Sequence, residues 1–457
     1  MSVSTRPTPG AVRPYEFPAV HHHVLSSGMR LVVVPMPRLP LVSVLALVDA
    51  GAAGEANTVA GVAQLTARTL VEGTHTLDGA ALTSRFEGLG TSLGAGADWD
   101  ASTVRFTVTR SRLAEAFALF ADSLRAPAFA EGEVIRLRDE RLADLAQQLA
   151  EPRGLADQRF SGFVYAGASR FARPVGGTVS TVRALDQDAV RQFHAAHYGA
   201  ATTTLLFVGD ITVEDAERLA EAEFGRWTGA ASPTPGIVAQ AASSSRRTVI
   251  VEKPGAPQSE LRVGHLGVPR EHPEHLAIVV MNAILGGLFS SRINLNLREK
   301  HAFTYGASSG FDWRRAAGPF AVRTAVKTEV TGRAVEEILR EIDAMRAAPP
   351  SADEVALATD YLAGVFPIRF ESTDAVAGAL ASALTFGLGP EWFVRYRERI
   401  RAIGPAEVHA AARAHLDPSR LLLLAVGDGD AIAEPLAALA VGALTRHASD
   451  ADPAEAK

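Results

Sequence analysis

The amino-acid sequence predicts an α+β fold built from two tandem homologous domains. Predicted strands and helices come in runs rather than in strict alternation, which favours α+β over a doubly wound parallel sheet. The chain also repeats itself, because Val182–Asp210 aligns without gaps on Ile400–Asp428 at a constant offset of 218 residues. Ten of the 29 aligned positions are identical, and Gly96–Trp99 matches Gly310–Trp313 at an offset of 214. These offsets predict a duplicated unit of about 215–220 residues.

The boundary between the two domains is predicted where the composition changes. The stretch from Thr228 to Ser245 is rich in Pro, Ala, Ser and Gly and lacks hydrophobic periodicity, which is typical of a connecting segment. We therefore place the first domain at residues 20–228, the linker at 229–245 and the second domain at 246–442.

Each half is predicted to contain the same coarse order of elements. An apolar strand comes first, a helix follows, and each half ends on an apolar strand closed by Gly-Asp. The corresponding pairs are strands Val42–Val48 and Leu261–Leu266, helices Asn57–Val71 and His275–Leu285, and strands Leu205–Asp210 and Leu421–Asp428. A further strand is expected at Thr103–Val108, where three apolar residues alternate with polar ones as in a half-buried strand: Val104, Phe106 and Val108.

The composition excludes several functional classes. A hydrophobic content of 47% and a charged content of 21% are typical of a globular protein with sizeable cores. The net charge of −6 comes without a basic stripe, which argues against a nucleic-acid partner. The chain has no cysteine, so disulfides, thiolate catalysis and cysteine metal sites are excluded.

The N-terminal segment bears on the compartment. Met1–Pro18 is polar and proline-rich and has no apolar core of signal-peptide length. No apolar run is expected to approach the length needed to span a bilayer. We therefore expect a cytoplasmic protein without a membrane partner, and a periplasmic location stays open if a signal segment has been removed.

Two segments carry residues that bear on chemistry. The first is Gly61–Thr74, in which Gln64, Ala67 and Arg68 follow a glycine and precede Gly-Thr. The second is Gly286–Gly306, which opens on a glycine turn, continues as a predicted helix and carries two chemically distinctive side chains, an arginine and a tyrosine spaced seven residues apart: Arg298 and Tyr305.

Both segments resemble the pitrilysin/insulinase/mitochondrial-processing-peptidase family of zinc peptidases, and the resemblance covers nearly the whole chain. It implies two domains, each a mostly antiparallel sheet covered by helices, in a clam-shell arrangement. It also implies that Arg298 and Tyr305 hold the carbonyl oxygen of the peptide being cut. Leu89–Asp98 resembles the edge strand on which such proteins lay a substrate peptide.

The same resemblance places the family's H-x-x-E-H zinc motif at Gln64–Arg68, where its functional atoms are missing. Gln64 offers a neutral carbonyl in place of imidazole, and Ala67 has no group that could act as a base. Arg68 is permanently charged and would repel a cation. The third ligand, a glutamate some 75 residues later, has no clear counterpart: Glu140 and Asp144 lie near, but Leu145–Gln147 occupies the expected place. The sequence therefore predicts no metal in this chain.

No other group of histidines provides a metal motif in the sequence. The i,i+3 pairs are His194/His197 and His272/His275, and no pair has the i,i+4 spacing. We interpret these as solvated histidines at helix ends. His21–His23 begins an extended segment that we expect at the surface, with a weak metal contact as the open alternative.

Three functions are compatible with this pattern. The first is the zinc-free subunit of a bacterial heterodimeric metallopeptidase, whose homologous partner carries H-x-x-E-H and zinc and whose substrate is a peptide. The second is a non-catalytic structural or assembly subunit resembling the core proteins of the respiratory cytochrome complex. The third is a peptide-binding homodimer. Retention of Arg298 and Tyr305 favours the first, although a helix-end arginine beside Glu299 is also typical of a surface ion pair, and a tyrosine before glycine is typical of a packed strand start.

Overall fold

A computed structural model describes residues 14–229, 237–389 and 391–450. Two six-stranded sheets with helices on their faces form the chain, which confirms the predicted α+β class and the two-domain organisation. Both sheets are mixed, because among the described strands the first contains one parallel pair and the second contains two, beside the antiparallel pairs.

The first sheet contains the strands of the N-terminal half. In chain order they are β1 (His21–Val24), β2 (Arg30–Pro35), β3 (Leu41–Val48), β4 (Gly94–Ala97), β5 (Ser102–Thr109) and β6 (Thr203–Gly209). Their order across the sheet is β1-β2-β6-β3-β5-β4. Strand β4 therefore lies at an open edge, and β2 and β6 form the parallel pair.

The second sheet repeats this arrangement. In chain order its strands are β7 (Arg247–Glu252), β8 (Gln258–Leu266), β9 (Ala307–Phe311), β10 (Pro319–Lys327), β11 (Leu422–Gly427) and β12 (Ala443–His447). Their order is β12-β7-β11-β8-β10-β9, so β9 takes the edge position that β4 takes in the first sheet. The outer strand beside β7 comes from the C-terminal end of the half, whereas β1 comes from the N-terminal end.

The helices of the two halves correspond in the same way. Those of the first half are α1 (Val62–Thr69), α2 (Gly79–Gly88), α3 (Leu113–Arg125), α4 (Glu131–Ala150), α5 (Pro152–Val164), α6 (Val179–Arg183), α7 (Gln187–His197) and α8 (Val213–Phe224). Those of the second half are α9 (His275–Asn282), α10 (Arg292–Asn294), α11 (Thr331–Ala347), α12 (Ala352–Val365), α13 (Thr373–Thr385), α14 (Glu391–Arg401), α15 (Pro405–His415) and α16 (Gly429–Ala438).

The two halves are held together by an exchange of equivalent helices. Helix α5 of the first half packs on β8 and β11 of the second sheet, where Leu155 and Phe160 join the core around Leu424. Helix α13 of the second half packs on β3 and β6 of the first sheet, where Leu380 joins the core around Leu45. Each sheet thus buries one face against a helix from the other half, so burial of this apolar surface stabilises the pairing of the domains.

The predicted strands agree with the observed ones to within a few residues. In β5, the side chains of Val104, Phe106 and Val108 are buried and Arg105 is exposed, as the alternation predicts. The helix predicted over Asn57–Val71 is shorter than expected, because a 3-10 turn is followed by Gly61 in the left-handed conformation, and the α-helix begins only at Val62.

The domain boundaries stay a prediction. Residues 230–236 of the predicted linker lie outside the described residues. The strand β12 belongs to the second sheet although it follows residue 442, the predicted end of that domain.

The stretch His275–Lys300 meets the length and hydropathy criteria for a membrane-spanning helix. It has 26 residues, and an 18-residue window within it has a mean hydropathy of 1.7, so it is long and apolar enough to cross a bilayer by those two criteria. The expectation that no apolar run approaches this length is not met by these two criteria, although Leu288 and Ser291 adopt extended backbone conformations between the two helical parts. Within the protein, 56% of the apolar window is buried, as in a core helix.

Candidate functional site

The start of α1 is fixed by a buried ion pair. The Glu55 carboxylate accepts hydrogen bonds from the backbone N–H groups of Gly61 (3.0 Å) and Ala63 (2.6 Å) at the N-terminus of the helix. It also accepts two from the Arg170 guanidinium, at 2.8 and 2.6 Å. Gly61 has φ +103° and approaches the backbone of Gly176, so a side chain there would be strained and would clash. These contacts set the position of the residues at the expected zinc motif.

The three residues at the motif position form no metal site. Gln64 lies against Gly176, where a Cβ would come within 2.1 Å of the Gln64 Oε1 and 2.7 Å of the Arg141 Nε. The side chain of Ala67 is fully buried. The Arg68 guanidinium donates to the Glu140 carboxylate at 2.9 Å, which places a positive charge where a zinc ion would require ligands.

The surroundings of Arg68 are organised for a cationic side chain. Glu140 also pairs with Arg136, whose guanidinium reaches Glu72 at 2.6 Å. The pKa of Arg141 is lowered, mainly by burial. The nearby Asp144 carboxylate raises this pKa, and the Arg68 charge lowers it. Two guanidinium groups close together repel a divalent ion.

The expected third ligand is missing as well. Leu145 is fully buried, and the nearby Glu140 is occupied by its ion pairs. The residues present therefore do not fit the zinc ion that H-x-x-E-H would hold, and no step of a reaction can be assigned to a metal at this position.

Restoring the motif alone is expected to give weak zinc binding. In the variant Gln64→His/Ala67→Glu/Arg68→His, Arg141 remains beside the new imidazole and no third ligand is supplied. Loss of supporting contacts alone lowers the zinc affinity of a complete site roughly 10- to 100-fold. We expect this variant, which also lacks a third ligand, to bind zinc more weakly still. Adding Arg141→Met should tighten binding, as measured by competition with a zinc chelator. Nanomolar binding by the triple variant would contradict this assignment.

Arg298 lies in an unusual helical turn. Residues Leu295–Lys300 form a π-helix, a conformation that is rare in proteins as a whole but is often found at functional sites. Its end is marked by Ala302, which has φ +53°. The Arg298 guanidinium lies over the ring of Phe289 at 4.6 Å and contacts the Glu299 carboxylate at 3.4 Å. The ion pair expected for a surface arginine is therefore present, but the Phe289 ring also orients the guanidinium.

Tyr305 is exposed on a turn whose backbone is fixed. Its side chain is 95% exposed, so it is not the packed residue typical of a strand start. The Thr304 hydroxyl accepts the N–H of Gly306 at 3.1 Å, and the Thr324 hydroxyl on β10 donates to the Gly306 carbonyl oxygen at 3.1 Å. The turn is thus attached to the sheet while the phenol points away from the core.

Asn294 connects the turn at Phe289 with the strand that follows Tyr305. Its amide nitrogen donates to the Phe289 carbonyl oxygen at 2.7 Å, and its amide oxygen accepts the N–H of Ala307 at 3.1 Å. The turn at Phe289 and the start of β9 at Ala307 are thereby held in a fixed position relative to each other. In the described part of the chain, no hydrogen bond connects the Arg298 and Tyr305 side chains; the Arg298 guanidinium contacts Glu299 and Phe289.

A cavity of about 470 Å³ with charged walls is lined in part by Tyr305 and Glu260. Arg153 from α5 and two sheet residues, Arg262 and Arg323, line it. Asp157 accepts from Arg262 at 2.7 Å and lies 3.8 Å from Arg323, whose pKa is lowered by burial. Sequence reasoning missed these arginines, because they come from three separate elements and share no motif.

The first sheet offers a second surface at its open edge. Strand β4 lies there, within the Leu89–Asp98 segment, beside an open cavity of about 700 Å³ that is lined by Gly94 and Arg105 among others. An unpaired strand edge presents backbone N–H and C=O groups that can pair with an extended peptide.

The histidines at helix ends differ from the prediction. His275 is buried rather than solvated, and its ring lies against the ring of Trp313, with the centroids 4.2 Å apart. His194 is half-buried, and its Nε2 contacts the Leu124 carbonyl oxygen at 2.9 Å. His21–His23 forms the exposed strand β1, as expected.

One cluster of potential metal ligands arises from the fold. The ligand atoms of His272, Glu274 and His415 lie within 4.8 Å of one another. The His272 Nδ1 accepts the N–H of Glu274 at 3.3 Å, so this nitrogen already has a hydrogen-bond partner within the chain. The His415 Nε2 pairs with the Glu274 carboxylate at 2.5 Å. An ion pair accounts for this cluster.

The family of the chain is decided by two sequence matches. Residues 32–170 match the family described as Insulinase (Peptidase family M16), and residues 184–362 match the Peptidase M16 inactive domain. The chain belongs to the M16 peptidase family. The predicted resemblance is thereby confirmed, and this M16 member lacks the residues of the zinc motif at the position where the resemblance places it.

Relatives of this M16 chain carry names of zinc peptidases. A protein described as an uncharacterized zinc protease of Streptomyces coelicolor is 24% identical over 401 residues, 86% of each chain. A probable mitochondrial-processing peptidase subunit beta of Arabidopsis thaliana is 22% identical over 287 residues, which are 60% of this chain and 53% of that protein.

Solved structures share the fold. A peptidase M16 inactive domain from Pseudomonas fluorescens has a TM-score of 0.83 and 25% identity, with 90% of this chain and 98% of that chain covered. A chain of the complex III dimer from Candida albicans has a TM-score of 0.75 and 17% identity, with 91% and 97% covered. The similarity to the complex III chain shows a shared fold alone.

Proposed function

We propose that this M16 chain is the zinc-free subunit of a heterodimeric metallopeptidase. A homologous partner with H-x-x-E-H supplies the zinc, and this chain supplies Arg298, Tyr305 and half of the wall of the peptide chamber. The observation that carries the proposal is Tyr305, whose phenol is 95% exposed although its turn is tied to β10. A fixed, exposed phenol suits a ligand that comes from outside the chain, and the Phe289 ring orients the Arg298 guanidinium seven residues earlier in the sequence.

The proposed role of the two side chains follows from the charge that peptide hydrolysis creates. Attack on the peptide carbonyl places negative charge on its oxygen, and donors aimed at that oxygen stabilise the transition state. The Arg298 guanidinium and the Tyr305 hydroxyl are both donors. Loss of one such donor costs roughly 10²–10³ in rate in other enzymes.

The proposed substrate is an oligopeptide or an unfolded segment in extended conformation. The open edge of β4 supports this class, because an added strand pairs through its backbone whatever its sequence. The proposal includes no cofactor in this chain, zinc in the partner and a cytoplasmic location.

The alternative is a non-catalytic structural or assembly subunit. The fold shared with the Candida albicans complex III chain favours it, since that chain is part of a respiratory assembly. A homodimer that binds peptides without cleaving them is the third candidate. The retained Arg298 and Tyr305 support the peptidase subunit over both, because a scaffold needs neither an exposed phenol nor the rare helical turn that carries Arg298.

The purified chain is expected to bind no stoichiometric zinc and to cleave no peptide alone. The reason is the guanidinium of Arg68 at the ligand position and the methyl group of Ala67 at the position of the base. Mixing it with a homologue that carries H-x-x-E-H, sought first in a neighbouring gene, should raise peptidase activity by orders of magnitude. Metal analysis and cleavage of a quenched fluorescent peptide measure the two results. One zinc per chain, removed together with activity by a chelator, would contradict the proposal.

A further inference from the structure

The second half contains an aromatic cavity that the proposed function does not use. Its volume is about 380 Å³, in the range of small-molecule sites. It lies between the end of β8, the loop after β9, and helices α12, α13 and α14. Six aromatic side chains line it: Trp313, Phe366, Phe370, Trp392, Phe393 and Tyr396.

Arg270 brings a buried positive charge to this cavity. The residue is only 8% exposed, and its guanidinium lies over the rings of Trp392 at 5.3 Å and Phe386 at 6.0 Å. Its backbone N–H donates to the Arg314 carbonyl oxygen at 2.8 Å. Across residues 14–229, 237–389 and 391–450, no carboxylate forms an ion pair with this guanidinium. A buried cation without a counter-ion is costly, so a bound anion would be favourable.

The other polar groups of the cavity match an anion as well. Arg369 also lines it, whereas none of the described lining residues is acidic. His275 is 8% exposed, and its Nδ1 has no hydrogen-bond partner within the described structure. Burial, followed by the charges of Arg270, Arg399 and His272, lowers the pKa of His275 to about 3, so the ring is neutral near pH 7. A neutral imidazole can still donate one hydrogen bond to a ligand.

We infer that this cavity binds a small aromatic carboxylate, whose anionic group pairs with Arg270 and whose ring packs among the aromatic side chains. The aromatic walls account for the ring, because offset and edge-to-face contacts are available from both sides. The unpaired guanidinium accounts for the carboxylate, because it presents a planar fork of donors that fits this group. The inference is independent of the proposed peptidase role.

Calorimetric titration of the full chain with indole-3-acetate and with indole-3-acetamide tests the inference. The two probes share the ring and differ in charge. We expect the carboxylate to bind at least tenfold more tightly than the amide. Arg270→Met should remove this preference without lowering the thermal unfolding midpoint of the free protein, because it replaces an unpaired buried charge by an apolar side chain.

Two further variants separate binding from folding. Ala379→Phe, which fills the cavity, should block both probes. Arg333→Met is the matched control, because its guanidinium lies over the Phe303 ring at 4.9 Å outside the cavity, and it should leave the tenfold preference intact. Equal affinity of both probes for the unmodified chain, a preserved preference in Arg270→Met, or no binding of either probe at millimolar concentration would overturn the inference.

Discussion

In the reconstituted heterodimer, Arg298→Ala and Tyr305→Phe are each expected to lower kcat roughly 10²- to 10³-fold. Both groups are proposed to contact the substrate oxygen when it carries charge, so their loss removes transition-state stabilisation. Complex formation should be unchanged, because the Tyr305 side chain is exposed and, among the described residues, the Arg298 side chain pairs with Phe289 and Glu299 of its own chain. Cleavage rates of a fluorogenic peptide at saturation, with sedimentation to confirm assembly, measure both effects.

Matched controls distinguish this role from a general effect of substitution. Tyr361→Phe removes a hydroxyl from another exposed tyrosine, on α12, and Arg333→Ala removes another guanidinium that lies over a ring. Both controls should retain the full kcat. If Arg298→Ala and Tyr305→Phe retain it as well, the oxyanion role is wrong and the structural-subunit alternative is favoured.

Glu55→Gln is expected to lower the free energy of unfolding by about 3–5 kcal/mol, the cost of breaking a buried ion pair from one side. The side chains of Glu55 and Arg170 are 0% and 4% exposed, so water cannot solvate the Arg170 charge that the substitution leaves unpaired. The carbonyl oxygens that Arg170 also contacts, those of Arg173, Pro174 and Val175, do not neutralise it. Urea unfolding followed by circular dichroism measures the difference.

The control for this prediction is an exposed pair. Glu115→Gln breaks the contact between Arg85 and Glu115, whose side chains are 52% and 45% exposed. Exposed pairs contribute about 0–1 kcal/mol, so this variant should unfold nearly as the unmodified chain does. A loss of under 1 kcal/mol in Glu55→Gln would show that the buried pair does not hold the start of α1.

The sequence by itself determined the class of fold and the loss of the zinc motif. The alternation of Val104, Phe106 and Val108 sets the buried face of β5, because successive side chains of a strand point to opposite sides. The offset between Leu205–Asp210 and Leu421–Asp428 predicted that both halves would contain the same strand. The missing functional groups at Gln64, Ala67 and Arg68 follow from residue chemistry alone.

The tertiary structure decided which surfaces meet. An apolar stripe on α5 or α13 shows that a face is buried, but the sequence does not state that each helix covers the sheet of the other half. The same holds for the burial of His275 against Trp313 and for the pairing of Arg68 with Glu140, 72 residues away.

These contacts depend on long-range packing, which local patterns do not encode. The aromatic cavity around Arg270 illustrates this, because its lining comes from helices and loops spread over more than a hundred residues. Only the assembled fold places the Arg270 guanidinium, which forms no ion pair with the described residues, beside a cavity lined by six aromatic rings.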